Sequence, residues 1–207
     1  VASSAWNVVT PAVLTITAQT TNDHGPIAVG NTDDLVYDIQ NTSLTTSATL
    51  VSEVGLAAPY TVQTDTCGAT IAANVTCQIT LRFTPTGLVT ASAADTFDLQ
   101  YNDGAATQNS TQAVTGYIIA APTSIALNTP ATSPDQDQTP SVDIGGLYSV
   151  AAATAKFFSD SSCTDPANLV GSVTGTAATQ TVTAAPVIAD GSHTYYANQT
   201  VGAEVSP

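Results

Sequence analysis

Nine residues set the terms for what this chain can become. From Val75 to Phe83 apolar and polar side chains alternate without a break. Val75, Cys77, Ile79, Leu81 and Phe83 share one side, and Thr76, Gln78, Thr80 and Arg82 share the other. Period two over this length predicts a half-buried strand, and Pro85 ends it. Cys67 lies ten residues upstream of Cys77, across a reversal that contains Gly68 and Asn74. A hairpin there would bring the two thiols together. A bond between them would close a ring worth about 2.7 kcal/mol on the loop-closure model.

The remaining pattern is also that of strands. Leu35, Tyr37 and Ile39 alternate with Val36, Asp38 and Gln40, and Phe97, Leu99 and Tyr101 form a similar series. Further strands are predicted around Val8 (with Trp6) and Val13–Ile16, at Ala48–Val54 and Pro59–Val62, and at Thr111–Ile119. Thr21–Pro26 reads as a turn cluster, and Asn102-Asp103-Gly104 as a type I′ hairpin turn. Beyond Ala120-Ala121-Pro122 come Ser124–Leu127, Ser141–Ile144, Thr154–Phe158, Leu169–Val173, Gln180–Thr183 and His193–Gln199, with a last hairpin at Asp190-Gly191. No long amphipathic helix is visible. Short strands at close spacing without helices between them predict an all-β chain of two tandem β-sandwiches, residues 1–120 and 121–207, joined by a very short linker.

Charge narrows the function. The chain of 207 residues carries 16 acidic and 2 basic residues, a formal net charge of −14. Binding to nucleic acid or to an anionic lipid surface relies on Lys and Arg, and Arg82 and Lys156 are the whole supply. Neither partner is expected. No run approaches the roughly 20 apolar residues of a membrane span. The chain starts at Val1 and contains no Met, which reads as a mature form or an excised piece. Three cysteines in a Ser/Thr-rich chain point to an oxidising compartment, with one thiol left over.

Few residues carry chemistry. His24, in the turn cluster, and His193, at a strand start, lack zinc-site spacing and read as exposed polar residues. There is no Gly-x-Ser-x-Gly elbow and no general base beside Cys163, so the chain is expected not to be an enzyme. Lys156 could join an Asn in an isopeptide bond, although a surface lysine fits its acidic neighbourhood better. Acidic loops are the stronger candidates: Asp33-Asp34, Asp135 with Asp137, and Asp160 with Asp165 around Cys163. They could supply oxygens to a structural calcium ion, or they are plain solvated loops; no other cofactor is indicated. The seven tyrosines and Trp6 could stack on sugars, but alternating positions favour packing. Asn41, Asn74, Asn109 and Asn198 head Asn-x-Ser/Thr triplets, which matter only in a eukaryotic secretory host.

The order of several segments resembles a known family. Leu35–Thr42, Leu56-Ala57-Ala58-Pro59-Tyr60, Thr66-Cys67-Gly68, Asn74–Cys77, Arg82–Pro85, Tyr101–Gly104 and Gly116 together resemble the Ig-like domains called choice-of-anchor D, relatives of the abnormal-spindle type. The resemblance implies a sandwich of exported bacterial proteins, a Cys67–Cys77 disulfide and no enzymatic activity. Thr139–Val142, Gly145-Gly146, Phe157–Thr164, Val170–Ser172 and Asp190–Ala197 are similar to a bacterial Ig-like repeat of Gram-negative surface proteins. That likeness implies a partner for Cys163 just past the last strand, where this sequence stops. Cys163 is therefore expected to be free, and further repeats to follow.

These readings converge on a fragment of an exported surface protein, secreted or on the outer cell surface, with the periplasm as another place. Its expected work is adhesion or cell-surface recognition. The partners would be a glycan or protein of another cell, or neighbouring domains of the same protein. The alternatives are a structural stalk that presents other domains, and an accessory binding module of a secreted hydrolase.

Overall fold

In the computed structural model, residues 9–130, 137–185, 187–189 and 191–207 are described. They form sixteen β-strands and no α-helix, with one short 3-10 turn at Pro166–Asn168. The all-β class follows from the alternation, and the sheets stack in pairs as β-sandwiches.

The organising strand is β7 (Thr76–Phe83), in which Ile79, Leu81 and Phe83 are buried while Thr76 and Gln78 face solvent. It lies between β3 (Asp33–Asn41) and β5 (Tyr60–Asp65) in a sheet ordered β1-β3-β7-β5, where β1 is Leu14–Ala18. The partner sheet runs β2-β9-β8-β4-β6, with β2 Asp23–Ala28, β4 Ala48–Val54, β6 Thr70–Ile71, β8 Ala91–Asn102 and β9 Thr107–Ile119. The two layers meet through side chains of alternate residues. Tyr37 of β3 meets Phe97 of β8, with ring centroids 5.7 Å apart. The Tyr60 hydroxyl donates to the Ala93 carbonyl at 2.9 Å. The Tyr101 hydroxyl accepts from the Leu14 N–H at 3.2 Å. Burial raises the Tyr37 hydroxyl pKa to about 12.

By its contacts the chain divides into two compact units. The first comprises residues up to Gly25, Thr32–Thr84 and Ala93–Gly116. The second comprises Pro26–Asn31, Pro85–Ser92 and the residues from Tyr117 on. The second unit carries a sheet ordered β10-β11-β14 (Ser124–Thr129, Ser141–Gly145, Thr179–Thr183) and a sheet ordered β13-β12-β15-β16 (Leu169–Gly175, Ala153–Phe158, Tyr196–Val201, Glu204–Val205). Val142, Ile144 and Val182 from the one pack on Ala155 and Phe157 from the other, with Val170 and Val173 beside them. A second cluster gathers Ala28, Ile119, Tyr148, Ala153 and Val201, closed by an edge-on contact of Tyr117 with Tyr148 at 4.6 Å.

Polar bonds complete this second cluster. Gln199 is fully buried. Its Oε1 accepts from the Tyr148 N–H at 2.8 Å. Its Nε2 donates to the Ala120 carbonyl at 2.7 Å and to Thr90 Oγ1 at 2.9 Å. Glu204 Oε2 accepts from the Ala28 N–H and from Asn31 Nδ2, both at 2.8 Å. The C-terminal hairpin thus holds short stretches drawn from four earlier parts of the chain.

Several local expectations are corrected. The connection from Cys67 to Cys77 is no simple hairpin. β5 and β7 pair antiparallel, but between them β6 leaves the sheet and pairs with β4 of the opposite layer. Val75 precedes β7 and is exposed rather than inward-facing. Asp103-Gly104 is not a type I′ turn, because of these two residues only Gly104 has a positive φ, at 100°. Asp103 instead accepts the Ala105 and Ala106 N–H groups on Oδ1, at 2.8 and 2.7 Å, in a wider loop. Thr21–Pro26 is not wholly a turn, since β2 begins at Asp23. The last hairpin joins β15 to β16 rather than falling at Gly191. Trp6 and Val8 lie outside the described residues.

Candidate functional site

One end of the first unit is built from short segments locked together by side chains that never reach solvent. Asn41 ends β3 and is fully buried. Its Nδ2 donates to the carbonyls of Thr46 and Ile71, at 2.9 and 3.0 Å, and its Oδ1 accepts from the Ser43 N–H at 3.1 Å. Ser43, also buried, accepts the Thr45 and Thr46 N–H groups on Oγ and donates to the Thr10 carbonyl at 3.1 Å. The Thr10 N–H donates in turn to Thr45 Oγ1 at 3.1 Å. The Asn74 N–H donates to the Ser43 carbonyl at 2.8 Å. The loop after β3 is therefore tied at the N–H groups of Thr42, Ser43, Thr45 and Thr46 and at the carbonyls of Ser43 and Thr46.

This frame pushes aliphatic side chains outward. Leu44 is 77% exposed, Val9 69% and Val75 43%. Leu50 is 75% exposed and sits at φ +54, where β4 slips register against β8 between Thr49 and Ser52. A leucine in the left-handed region carries backbone strain of order 1–3 kcal/mol. A bulge of this kind re-aims a side chain. The segments involved are also free of charge. No charged residue occurs in Val9–Asn22, between Asp38 and Glu53, or between Asp65 and Arg82. The Asp103 carbonyl accepts from the Ala12 N–H at 2.9 Å, and its carboxylate accepts from the Ala105 and Ala106 N–H groups and from Gln108 Nε2. The Ala106 N–H, then the Ala105 N–H, hold its pKa below the ordinary value. Leu44 thus projects from an internally bonded loop whose own residues carry no charge, an arrangement suited to contact with another molecule.

The residues singled out in the sequence fall in different places. Cys67 and Cys77 are bonded, with Cα atoms 5.0 Å apart. Cys163 carries a free thiol. Burial and the Asp160 carboxylate push its pKa up, which lowers its thiolate content. Asp160 Oδ1 accepts from the Ser162 N–H and hydroxyl, and the Ser162 hydroxyl bond is the first cause of its lowered pKa. Asp165 caps the 3-10 turn by accepting the Ala167 N–H at 2.9 Å. Asp137 accepts from the Thr139 N–H and hydroxyl. Asp135 lies outside the described residues. Among the described residues no three His, Cys, Asp or Glu side chains gather as a metal-binding group. Asn41 and Asn198, two of the triplet asparagines, are buried. Lys156 stands across from Asn198 in the pairing of β12 with β15.

His24 was expected in an exposed turn and is instead a buried residue of β2. Its Nδ1 lies 2.9 Å from Asp33 Oδ2. Its ring rests against Tyr60 and Phe83, with centroids 5.7 and 5.5 Å away. Beside it Arg82 makes a two-pronged bond to Asp34, 2.8 Å at each contact. This bond holds the Asp34 pKa below its usual value. No helix among the described residues is long and apolar enough to cross a membrane.

No protein-family model matches the chain, and no curated protein matches it. Solved structures are similar at the level of fold. They include the VesB protease of Vibrio cholerae, with 12% identity and TM-score 0.38 over 49% of this chain and 31% of that one. The secreted serine protease VesC of the same organism has 9% identity and TM-score 0.35 over 89% and 46%. The YadV chaperone has 8% identity and TM-score 0.34 over 90% of each chain. The chain thus spans less than half the length of either protease. One expectation is corrected by this set. Catalytic inactivity was inferred from missing motifs, yet two of the similar structures are proteases, and a shared fold does not separate enzymes from non-enzymes. The absence of activity is withdrawn.

Proposed function

We propose that this chain is a module of an exported bacterial surface protein, and that the loop end of its first unit makes the contact with the surface of another cell. In this reading residues 1–120 are a choice-of-anchor-D-like Ig sandwich and residues 121–207 a bacterial Ig-like repeat. The observation that carries it is the internally bonded loop after β3, itself free of charge, that exposes Leu44, together with Leu50 exposed at the β4 bulge, on a chain of net charge −14. Such a surface loses little conformational entropy on binding, because its loops are already ordered. The Cys67–Cys77 bond supports export, since disulfides persist in oxidising compartments.

The test is binding of the labelled chain to whole Gram-negative cells, beside an equally acidic unrelated sandwich. Saturable binding above that control is expected, together with its loss in the Leu44→Asp/Leu50→Asp variant. Both side chains are exposed, so the variant keeps its fold, which circular dichroism checks. Equal binding by wild type and variant would refute the site. A second reading, a spacer that presents other domains, draws on the Gln199 and Glu204 bonds that close the second unit. It would be favoured by binding no better than the control.

A further inference from the structure

We infer that two copies of this chain join edge to edge through β10, forming one continuous sheet across a two-fold axis centred on Ala126. β10 stands at the end of the sheet ordered β10-β11-β14, with β11 on one side and no strand among the described residues on the other. All six of its residues are exposed. Ile125 and Leu127 stand opposite Ile144 and Val142 of β11, and residues directly opposite share a face of the sheet. Ile144 and Val142 are buried, whereas Ile125 is 38% and Leu127 45% exposed. The apolar side of this sheet is therefore left open along β10.

The backbone is open at the same two residues. The Ala184 N–H donates to the Pro140 carbonyl at 2.8 Å. Strand polar groups alternate sides, so those of Val142 and Ile144 also turn to β14. Those of Asp143 and Gly145 then turn to β10, where Ala126 and Ser124 meet them. The N–H and C=O groups of Ile125 and Leu127 thus face away from β11. The usual guards of a sheet edge are missing here. No charged residue occurs from Gly104 to Pro134, and the pairing of β10 stays regular from Ser124 to Leu127. At the ends of other sheets, β2 carries Asp23 and Pro26, and β16 is two residues long and carries Glu204.

The order of side chains selects a second copy as the occupant. Ser124-Ile125-Ala126-Leu127-Asn128 reads polar, apolar, small, apolar, polar in either direction. An antiparallel copy centred on Ala126 sets Ile125 opposite Leu127 as a hydrogen-bonded pair, and Ser124 opposite Asn128. The two alanines meet at a non-hydrogen-bonded position, where strands run closest and a small side chain fits. Asp143, in line with Ala126, would stand three strand spacings from its own copy, about 14 Å, a repulsion that salt screens.

The experiment uses the full chain carrying Cys163→Ser. Its mass is followed by sedimentation from about 10 µM to about 1 mM, the range suited to a small interface. Dimers are expected at the upper end. More are expected at about 0.5 M than at about 0.05 M salt, because each copy carries −14. Single cysteines are then added and oxidised with diamide, which takes up the two thiol hydrogens. Ala126→Cys is expected to form a disulfide-linked dimer. Ser124→Cys alone and Asn128→Cys alone are expected to stay monomeric, and an equimolar mixture of the two to cross-link. All three positions are exposed, and circular dichroism checks the fold. A monomer at every concentration, or Ser124→Cys cross-linking by itself as readily as Ala126→Cys, would overturn the self-pairing. So would dimers in which none of the three cysteines cross-links.

Discussion

Replacing Gln199 with leucine tests how the second unit is held together. The side chain is fully buried and makes three bonds: from the Tyr148 N–H at 2.8 Å, to the Ala120 carbonyl at 2.7 Å and to Thr90 Oγ1 at 2.9 Å. Leucine has a similar volume, so packing changes little and the cost is polar. The Tyr148 N–H loses its acceptor. The Ala120 carbonyl keeps only the longer bond from Thr90 Oγ1, at 3.5 Å. A buried group left without a partner costs about 1–3 kcal/mol. Two such groups, one of them partly compensated, give about 3 kcal/mol. With a urea dependence near 2 kcal/mol per molar, the midpoint of the affected transition falls by about 1.5 M. The assay is urea unfolding followed by circular dichroism, with hydrogen exchange read at residues 26–31, 85–92 and 147–150. Faster exchange in these three stretches is expected, because they share one cluster with Val201 and the Gln199 bonds. A loss under about 1 kcal/mol, or unchanged exchange there, would refute the reasoning. Glu204→Gln is the control: an amide oxygen can still accept from the Ala28 N–H, so the loss stays within about 1 kcal/mol.

Three further outcomes follow from the first unit. Opening the Cys67–Cys77 bond by a double change to serine should destabilise the fold by about 2.7 kcal/mol, read as a shift of the urea midpoint, because the ring closed is small. Gly116→Ala should cost about 1–3 kcal/mol, since an added Cβ would lie 2.9 Å from the fully buried Phe83 ring; a neutral result in thermal unfolding would mean the ring moves freely. The Asp34 carboxyl has a folded pKa below its unfolded value of about 3.8, mainly through its bond to Arg82, so its stabilisation is present above pH 4 and is lost as pH falls through the folded value. Asp34→Asn should therefore lower stability slightly in the neutral region, leave the most acidic region nearly unchanged, and so flatten the acid limb of an unfolding-versus-pH profile.

The strands that alternate most strictly were legible from sequence because one face of each is buried and the other wet. Leu35, Tyr37 and Ile39 in β3, and Ile79, Leu81 and Phe83 in β7, point inward as period two requires. β2 was hidden by its own composition. Gly25 and Pro26 look like turn residues, and Gly25 does take φ +69, yet the strand continues through them. That misreading also misplaced His24, whose burial depends on Tyr60 and Phe83, residues far along the chain. The strand expected at Thr111–Ile119 begins earlier, at Thr107, and its first four residues, Thr107, Gln108, Asn109 and Ser110, give no strand signal because none is apolar. The bonds made by Gln199 have no sequence signature at all, since their partners lie 51, 79 and 109 residues away.

The loop end shows why the site was harder to read than the fold. In Ala48–Val54 a period-two reading places Leu50 on the same side as Ala48, and Ala48 is fully buried. By that logic Leu50 belongs to the core. The register slip between Thr49 and Ser52 inserts an extra residue, and the positive φ at Leu50 turns its side chain to solvent. Alternation cannot reveal such an insertion, because the residues on either side of it still obey the pattern. Asn41 is similar: in sequence it merely follows Gln40 at the end of a strand, while in the structure its three hydrogen bonds decide the shape of the next six residues. Asn41→Ala would leave the Thr46 and Ile71 carbonyls and the Ser43 N–H without their partner. If the frame is what presents Leu44, this variant should weaken cell binding even though Leu44 itself is unchanged. Asn41→Asp, which restores an acceptor for Ser43 but no donors, should not rescue it. Full binding by both variants would show that Leu44 needs no frame, and the preorganisation argument would fail while the fold stood.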